Sequence, residues 1–216
     1  MPEVPPATSS RKLAAILAAD IAGYSAMMTA DEEGTVRKLK VVQAAVLPII
    51  TEHGGRIIDL AGGGVLAEFA SAIRAVESAV LVQQCVDELN AELGPKMLFR
   101  IGINIGDVIH DGSRLFGDGI NIAARLEALA EPGEVLLSRA AYDQVRDRIE
   151  QVFEDLGERS LKNIPRPVQT FRLARADSLK PHTTKVQHDF DDHRAVAVLP
   201  FDNMSGDAAE NYFVMG

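Results

Sequence analysis

Seven consecutive apolar residues, Leu13 to Ala19, stand between an Arg11-Lys12 pair and Asp20, and this run restricts the fold more than any other feature of the chain. It is too short for a typical buried helix and suits a strand buried on both faces. A sheet must then form around it from the segments that follow.

Those segments alternate in period. Thr29 followed by Glu32 reads as a capping box, and Val36, Leu39, Val42, Val46 and Ile49 then recur at helical spacing until Gly54-Gly55. Two short apolar runs, Arg56 to Ala61 and Val65 to Phe69, flank Gly62-Gly63-Gly64 and predict a tight hairpin. Ser71 caps a second helix along Ala72, Val76, Ala79, Val82, Val86, Leu89 and Leu93, ended by Gly94-Pro95. A long strand from Met97 to Ile109 follows, then a helix from about Gly119 to Ala130 stopped by Pro132-Gly133, and strands at Glu134 to Leu137, Val152 to Leu156 and Val168 to Leu173. The order β-α-β-β-α-β predicts an α/β fold with a ferredoxin-like split βαβ core, its helices on one face of a mostly antiparallel sheet.

Composition limits the function classes. A net charge of -9 argues against a grip on nucleic acid polymers, which needs clustered cations, although a single nucleotide remains open. The one cysteine, Cys85, lies in a helical run and offers neither a disulfide framework nor a thiolate metal site, which fits a cytoplasmic protein. Met1 to Ser10 lacks the pattern of a signal peptide and reads as a disordered N-terminus, and no apolar stretch is long enough to insert in a membrane. Residues 11–175 read as the main domain, 176–193 as a solvated linker, and 194–216 as the truncated start of a further domain opening on the apolar run Ala195 to Phe201.

Few residues stand out for chemistry. Asp20 ends a buried strand before Gly23-Tyr24-Ser25, where open α/β sheets place ligands, but an Asp there can also serve its own turn. Asn121 and Arg125, four apart, share a helix face and could meet a triphosphate or ribose, or could be a solvated face with Arg125 paired to a carboxylate. His53 and His110 have no partners at ligand spacing and read as surface residues.

Four segments together, LAADIAGY (Leu17 to Tyr24), HGGRIIDLAGGGVLAEF (His53 to Phe69), FRIGINIGDV (Phe99 to Val108) and FGDGINIAARLEALAEPG (Phe116 to Gly133), resemble the catalytic domain of class III adenylate and guanylate cyclases, bacterial branch. The likeness runs from about Arg11 to Arg175, and LGERSLKNIPRPVQTFRL (Leu156 to Leu173) is similar to the family's closing strands. The resemblance implies a head-to-tail homodimer with composite sites, binding a nucleoside triphosphate, by family default ATP, and two Mg²⁺ or Mn²⁺ ions. It implies cyclic nucleotide formation with release of pyrophosphate, in intracellular signal transduction.

By the same resemblance Asn121 orients the ribose, Arg125 offsets charge on the phosphoryl group, Lys162 meets the terminal phosphates, and Asp20 with the carbonyl of Ile21 holds metal. The chain departs from the pattern in three places. The second metal carboxylate falls at Gly63, and the two base-reading positions, usually Lys and Asp, are Asp59 and Arg114. Asp59 and Arg114 could read a base with exchanged charges, or pair with each other. The departures leave an alternative open, a catalytically degenerate domain kept as a dimerisation or nucleotide-sensing regulatory module. Ala195 to Gly216 is similar to the opening of a TolB-like module.

Overall fold

The computed structural model describes residues 10–92, 96–111 and 114–174, with backbone alone for Ser10, Glu92, Asp111 and Arg114. The expected linker, the TolB-like segment and the N-terminal residues before Ser10 lie outside this range. Among the described residues the chain runs β1 (Ser10–Ile21), α1 (Tyr24–Ala30), α2 (Glu32–Glu52), β2 (Arg56–Ala61), β3 (Gly64–Phe69), α3 (Ala72–Glu92), β4 (Phe99–Asp111), β5 (Arg114–Phe116), α4 (Asp118–Leu129), β6 (Val135–Ser138), α5 (Arg139–Val145), β7 (Phe153–Arg159) and β8 (Val168–Leu173).

The strands form one sheet in the order β2-β3-β1-β4-β6-β8-β7, with β5 pairing the end of β4. Its first four members are the split βαβ core, all antiparallel, and β4 to β6 is a parallel step. The apolar run of β1 is central and doubly covered, as its composition predicts. Ala15, Leu17, Ala19 and Ile21 pack with α2, α3 and α5, and Ala14, Ile16 and Ala18 pack on the opposite side with Val108 and Ala123. Fully burying one Leu or Ile of this kind stabilises the fold by about 1.5–3 kcal/mol.

The mixed α/β class holds, with one difference in the layering. The helices do not all lie on one face, because α4 crosses the other side of β4 and β1. Three glycines permit this close approach. A Cβ on Gly102 would collide with the backbone of Ala123 and Glu127, and one on Gly106 would lie 2.9 Å from the Cα of Gly119. Between them Asn104, buried on the same face, donates from Nδ2 to the carbonyl of Gly119 at 3.0 Å and satisfies the first turn of α4.

The first helical stretch also differs. Thr29 caps nothing: it lies inside α1, where its hydroxyl donates to the carbonyl of Ser25. Asp31 is the N-cap of α2, its Oδ1 accepting from the N–H of Gly34 at 2.9 Å. Either acceptor satisfies an orphan N–H, and the extended backbone of Asp31 decides which residue can do it.

Candidate active site

The end of β1 and the β2–β3 turn meet. Gly62 takes the positive φ of the turn (57°), which frees Gly63 from that conformation. A Cβ on Gly63 would stand 3.1 Å from the Cβ of Ile21 and 3.1 Å from the Tyr24 ring. A Cβ on the next residue, Gly64, would lie 3.8 Å from Asp20 Oδ1. The turn therefore sits beside Asp20 and Ile21 and adds no carboxylate to them.

Asp20 is partly exposed on the α4 side of the sheet, directly across from Arg100 on β4. Arg100 Nη2 donates to Asp20 Oδ2 at 2.9 Å and also approaches Glu127 Oε1 of α4 at 3.1 Å. Burial pushes the Glu127 carboxyl above its ordinary pKa; the Arg100 charge works against that shift and the Asp20 charge adds to it. Neither Arg100 nor Glu127 stands out in the sequence as a site residue. The available signal is a charged residue near each end of an apolar strand–helix contact: Arg100 is the second residue of FRIGINIG and Glu127 closes INIAARLE.

Asn121 and Arg125 lie on α4 away from its buried stripe of Gly119, Ala123 and Leu126. Asn121 is exposed and Arg125 half-buried. Among the described residues Arg125 has no carboxylate partner. Lys162 is brought to the same side. It is exposed on a turn closed by the Ile164 N–H donating to the Leu161 carbonyl at 3.1 Å, with Asn163 at φ 64°. Leu161 and Ile164 pack on Leu126 and Ala130, which ties the Lys162 turn to the flank of α4.

Asp59 reaches the α4 side of the sheet through an irregularity. The β2–β3 register shifts between Ile57 and Asp59, so Asp59 pairs with Leu66 where an unbroken ladder would have put Ile58. The extra residue reverses which side chains face out. Asp59 Oδ1 accepts from the N–H of Leu60 at 2.9 Å. Arg114 begins β5 opposite Asp111, and its side chain lies outside the described residues.

The same face holds a second charged group. Glu68 is 4% exposed, with Lys12 Nζ at 2.8 Å, Arg56 Nε at 3.1 Å and His110 Nε2 at 3.1 Å. Burial would raise the Glu68 carboxyl, but Lys12 and Arg56 outweigh it and hold its pKa below the usual range. His110 is therefore not a plain surface residue, and neither is His53, whose Nδ1 lies 2.7 Å from the carbonyl of Ile49 at the end of α2. The partner of His110 comes from sheet register, which spacing along the chain does not display, whereas that of His53 lies four residues back in the last turn of α2.

The family model for the adenylate and guanylate cyclase catalytic domain matches residues 8–175. The chain belongs to that family. A protein of Rhizobium meliloti named "Putative adenylate cyclase 3" is 42% identical over 212 residues, covering 95% of this chain and 36% of that protein. The chain thus spans about a third of that relative's length. A crystal structure of an adenylate/guanylate cyclase/hydrolase from Silicibacter pomeroyi superposes with TM-score 0.73 at 37% identity, covering 78% of this chain and 99% of that one. The adenylyl cyclase CyaB of P. aeruginosa shares the fold, with TM-score 0.69 and 23% identity over 78% of this chain and 96% of the other.

In this cyclase domain, no group of three or more His, Cys, Asp or Glu that could hold a metal ion occurs among the described residues. The donors that could hold a divalent ion at this corner of the sheet are the Asp20 carboxylate and the Ile21 carbonyl beside it. Mg²⁺ accepts one or two carboxylates completed by substrate phosphates and water, so such a set could hold one ion. No described helix is long and apolar enough to cross a membrane.

Proposed function

We propose that this domain converts ATP to 3′,5′-cyclic AMP and pyrophosphate, as a homodimer in which Asp20 of one subunit faces Asn121 and Arg125 of the other. The observation that carries the reading is that no ion pair to Arg125 occurs among the described residues. A half-buried guanidinium with no carboxylate partner among the described residues, one helical turn from an exposed Asn, is free to serve a polyanion. Name and identity of the Rhizobium relative support ATP as the base-bearing substrate. Asp59 can accept from the adenine amino group.

In the reaction the ribose 3′-oxygen attacks the α-phosphorus in line and pyrophosphate leaves. Arg125 donates to the phosphoryl oxygens where negative charge grows, Asn121 fixes the ribose, and Lys162 meets the leaving phosphates. By the family resemblance Arg114 would be the second base-reading residue beside Asp59. A Mg²⁺ or Mn²⁺ ion held by Asp20 and the Ile21 carbonyl would supply charge neutralisation for the triphosphate. Cyclic AMP made in this way would serve signal transduction inside the cell, and the domain would be cytoplasmic.

Gly63 favours a second reading, in which the same dimer binds nucleotide and regulates the remainder of a longer protein without turnover. The two readings part in one assay. Purified protein is incubated with ATP or GTP in Mg²⁺ and in Mn²⁺, and cyclic nucleotide is quantified. Cyclic AMP above the no-enzyme control supports the enzyme, and nucleotide binding with no product from either substrate supports the regulatory module.

A further inference from the structure

Arg100 serves two carboxylates through one nitrogen. Its Nη2 is 2.9 Å from Asp20 Oδ2 and 3.1 Å from Glu127 Oε1, but the second contact lacks the geometry of a hydrogen bond. Arg100 Nε and Glu127 Oε1 are both buried and both without a hydrogen-bond partner. One is a donor and the other an acceptor, on residues already in contact.

Arginine and carboxylate pair best through two parallel N–H···O bonds. A rotation of the guanidinium that turns Nε and Nη2 toward Glu127 would satisfy both orphaned atoms and release Asp20. While nothing else neutralises Asp20, the bond to it holds Arg100 where it is. A divalent cation at Asp20 removes that hold and repels the guanidinium.

We propose that Glu127 is a positioning residue for the metal site, receiving Arg100 when a divalent cation takes the Asp20 carboxylate. The inference rests on the reading of Asp20 as a metal ligand. Glu127 belongs to α4, two residues beyond Arg125, so the transfer ties arrival of the cation on β1 to the helix that carries Asn121 and Arg125. In a composite dimer these are halves of two different sites, and each chain would then link one site to the other.

The test is Mn²⁺ binding to the purified protein without nucleotide, read by calorimetry or by the loss of the free-ion paramagnetic resonance signal. Glu127→Gln should weaken Mn²⁺ by about tenfold, since Arg100 then has no charged acceptor to move to, and Glu127→Asp should restore most of that loss. Arg100→Gln should bind Mn²⁺ at least as tightly as the parent, and adding Glu127→Gln to it should change nothing further. Circular dichroism melts of each variant establish that the fold is kept, and Glu127→Asp keeps the charge if Glu127→Gln fails to fold. Unchanged affinity in Glu127→Gln overturns the proposal. So does a Glu127→Gln loss that persists without Arg100, because Glu127 would then be a direct ligand. Asp20→Asn separates the underlying reading: Mn²⁺ bound there as tightly as by the parent means that Asp20 is no ligand, whatever Glu127 does.

Discussion

Gly63 faces the ring of Tyr24, and a Cβ placed on the glycine would lie 3.1 Å from that ring. The contact is tight without being closed, since an edge or side-chain shift of a few tenths of an ångström relieves it. The positive φ of the turn belongs to Gly62, so an L-residue at 63 carries no left-handed strain.

Gly63→Asp should therefore fold, at a cost of about 1–3 kcal/mol of packing against Tyr24 and Ile21. The new carboxylate would stand in the turn beside Asp20 and should raise cyclic AMP production. The gain should be larger in Mg²⁺ than in Mn²⁺, because Mg²⁺ gives up water reluctantly and demands near-octahedral donors. Initial rates in both metals beside a melting curve check this, and a folded variant with no gain in either metal locates the deficit elsewhere.

Gly102→Ala should be far more damaging than its size suggests. The added methyl would meet backbone of α4 at Ala123 and Glu127, which cannot rotate away as a side chain can. Displacing α4 also moves the buried Asn104 bond to Gly119. Urea denaturation should show a loss of about 3 kcal/mol or more, with reduced far-ultraviolet helicity if α4 detaches. A loss below about 1 kcal/mol would show that α4 does not depend on the glycine seat.

Glu68 gives the fold a dependence on acid. Its folded pKa lies below the usual glutamate value, so its contribution is present above the unfolded pKa and is lost as pH falls through the folded one. Glu68→Gln leaves the half-exposed Lys12 and Arg56 without their anion and should cost about 1–3 kcal/mol at neutral pH. The gap between parent and variant should shrink as pH drops from roughly 5 toward 3, measured by denaturant melts at each pH. A gap constant over that range would mean that the carboxylate is not held ionised by its neighbours.

Sequence patterns carried the core fold because its causes are local. The apolar run of β1, the glycine turn after Ala61 and the helix stop at Pro132-Gly133 each fix their own element, and the split βαβ order follows. What escaped was set by tertiary contact. The bulge that turns Asp59 outward and the meeting of Arg100 with Asp20 and Glu127 depend on strand register and on a helix crossing, and neither appears as spacing along the chain. The role of Gly102 and Gly106 lay in plain sight within GINIG, but only the packed helix shows why a side chain cannot stand there.

A site shared between two subunits, as proposed, can be rebuilt by mixing two differently damaged chains. If Asp20 holds the metal and Arg125 meets the phosphoryl group, Asp20→Asn and Arg125→Ala homodimers should each lose about a hundredfold or more of the parental cyclic AMP rate while keeping their fold. Unfolded together and refolded, or co-expressed, the two chains form heterodimers in which one site pairs an intact Asp20 with an intact Arg125. Random pairing makes half the dimers hybrid with one good site of two, so the mixture should recover about a quarter of the parental rate. Recovery at that level is the predicted result; a mixture no more active than its inactive parents, with heterodimers present by sedimentation or tag exchange, would contradict it.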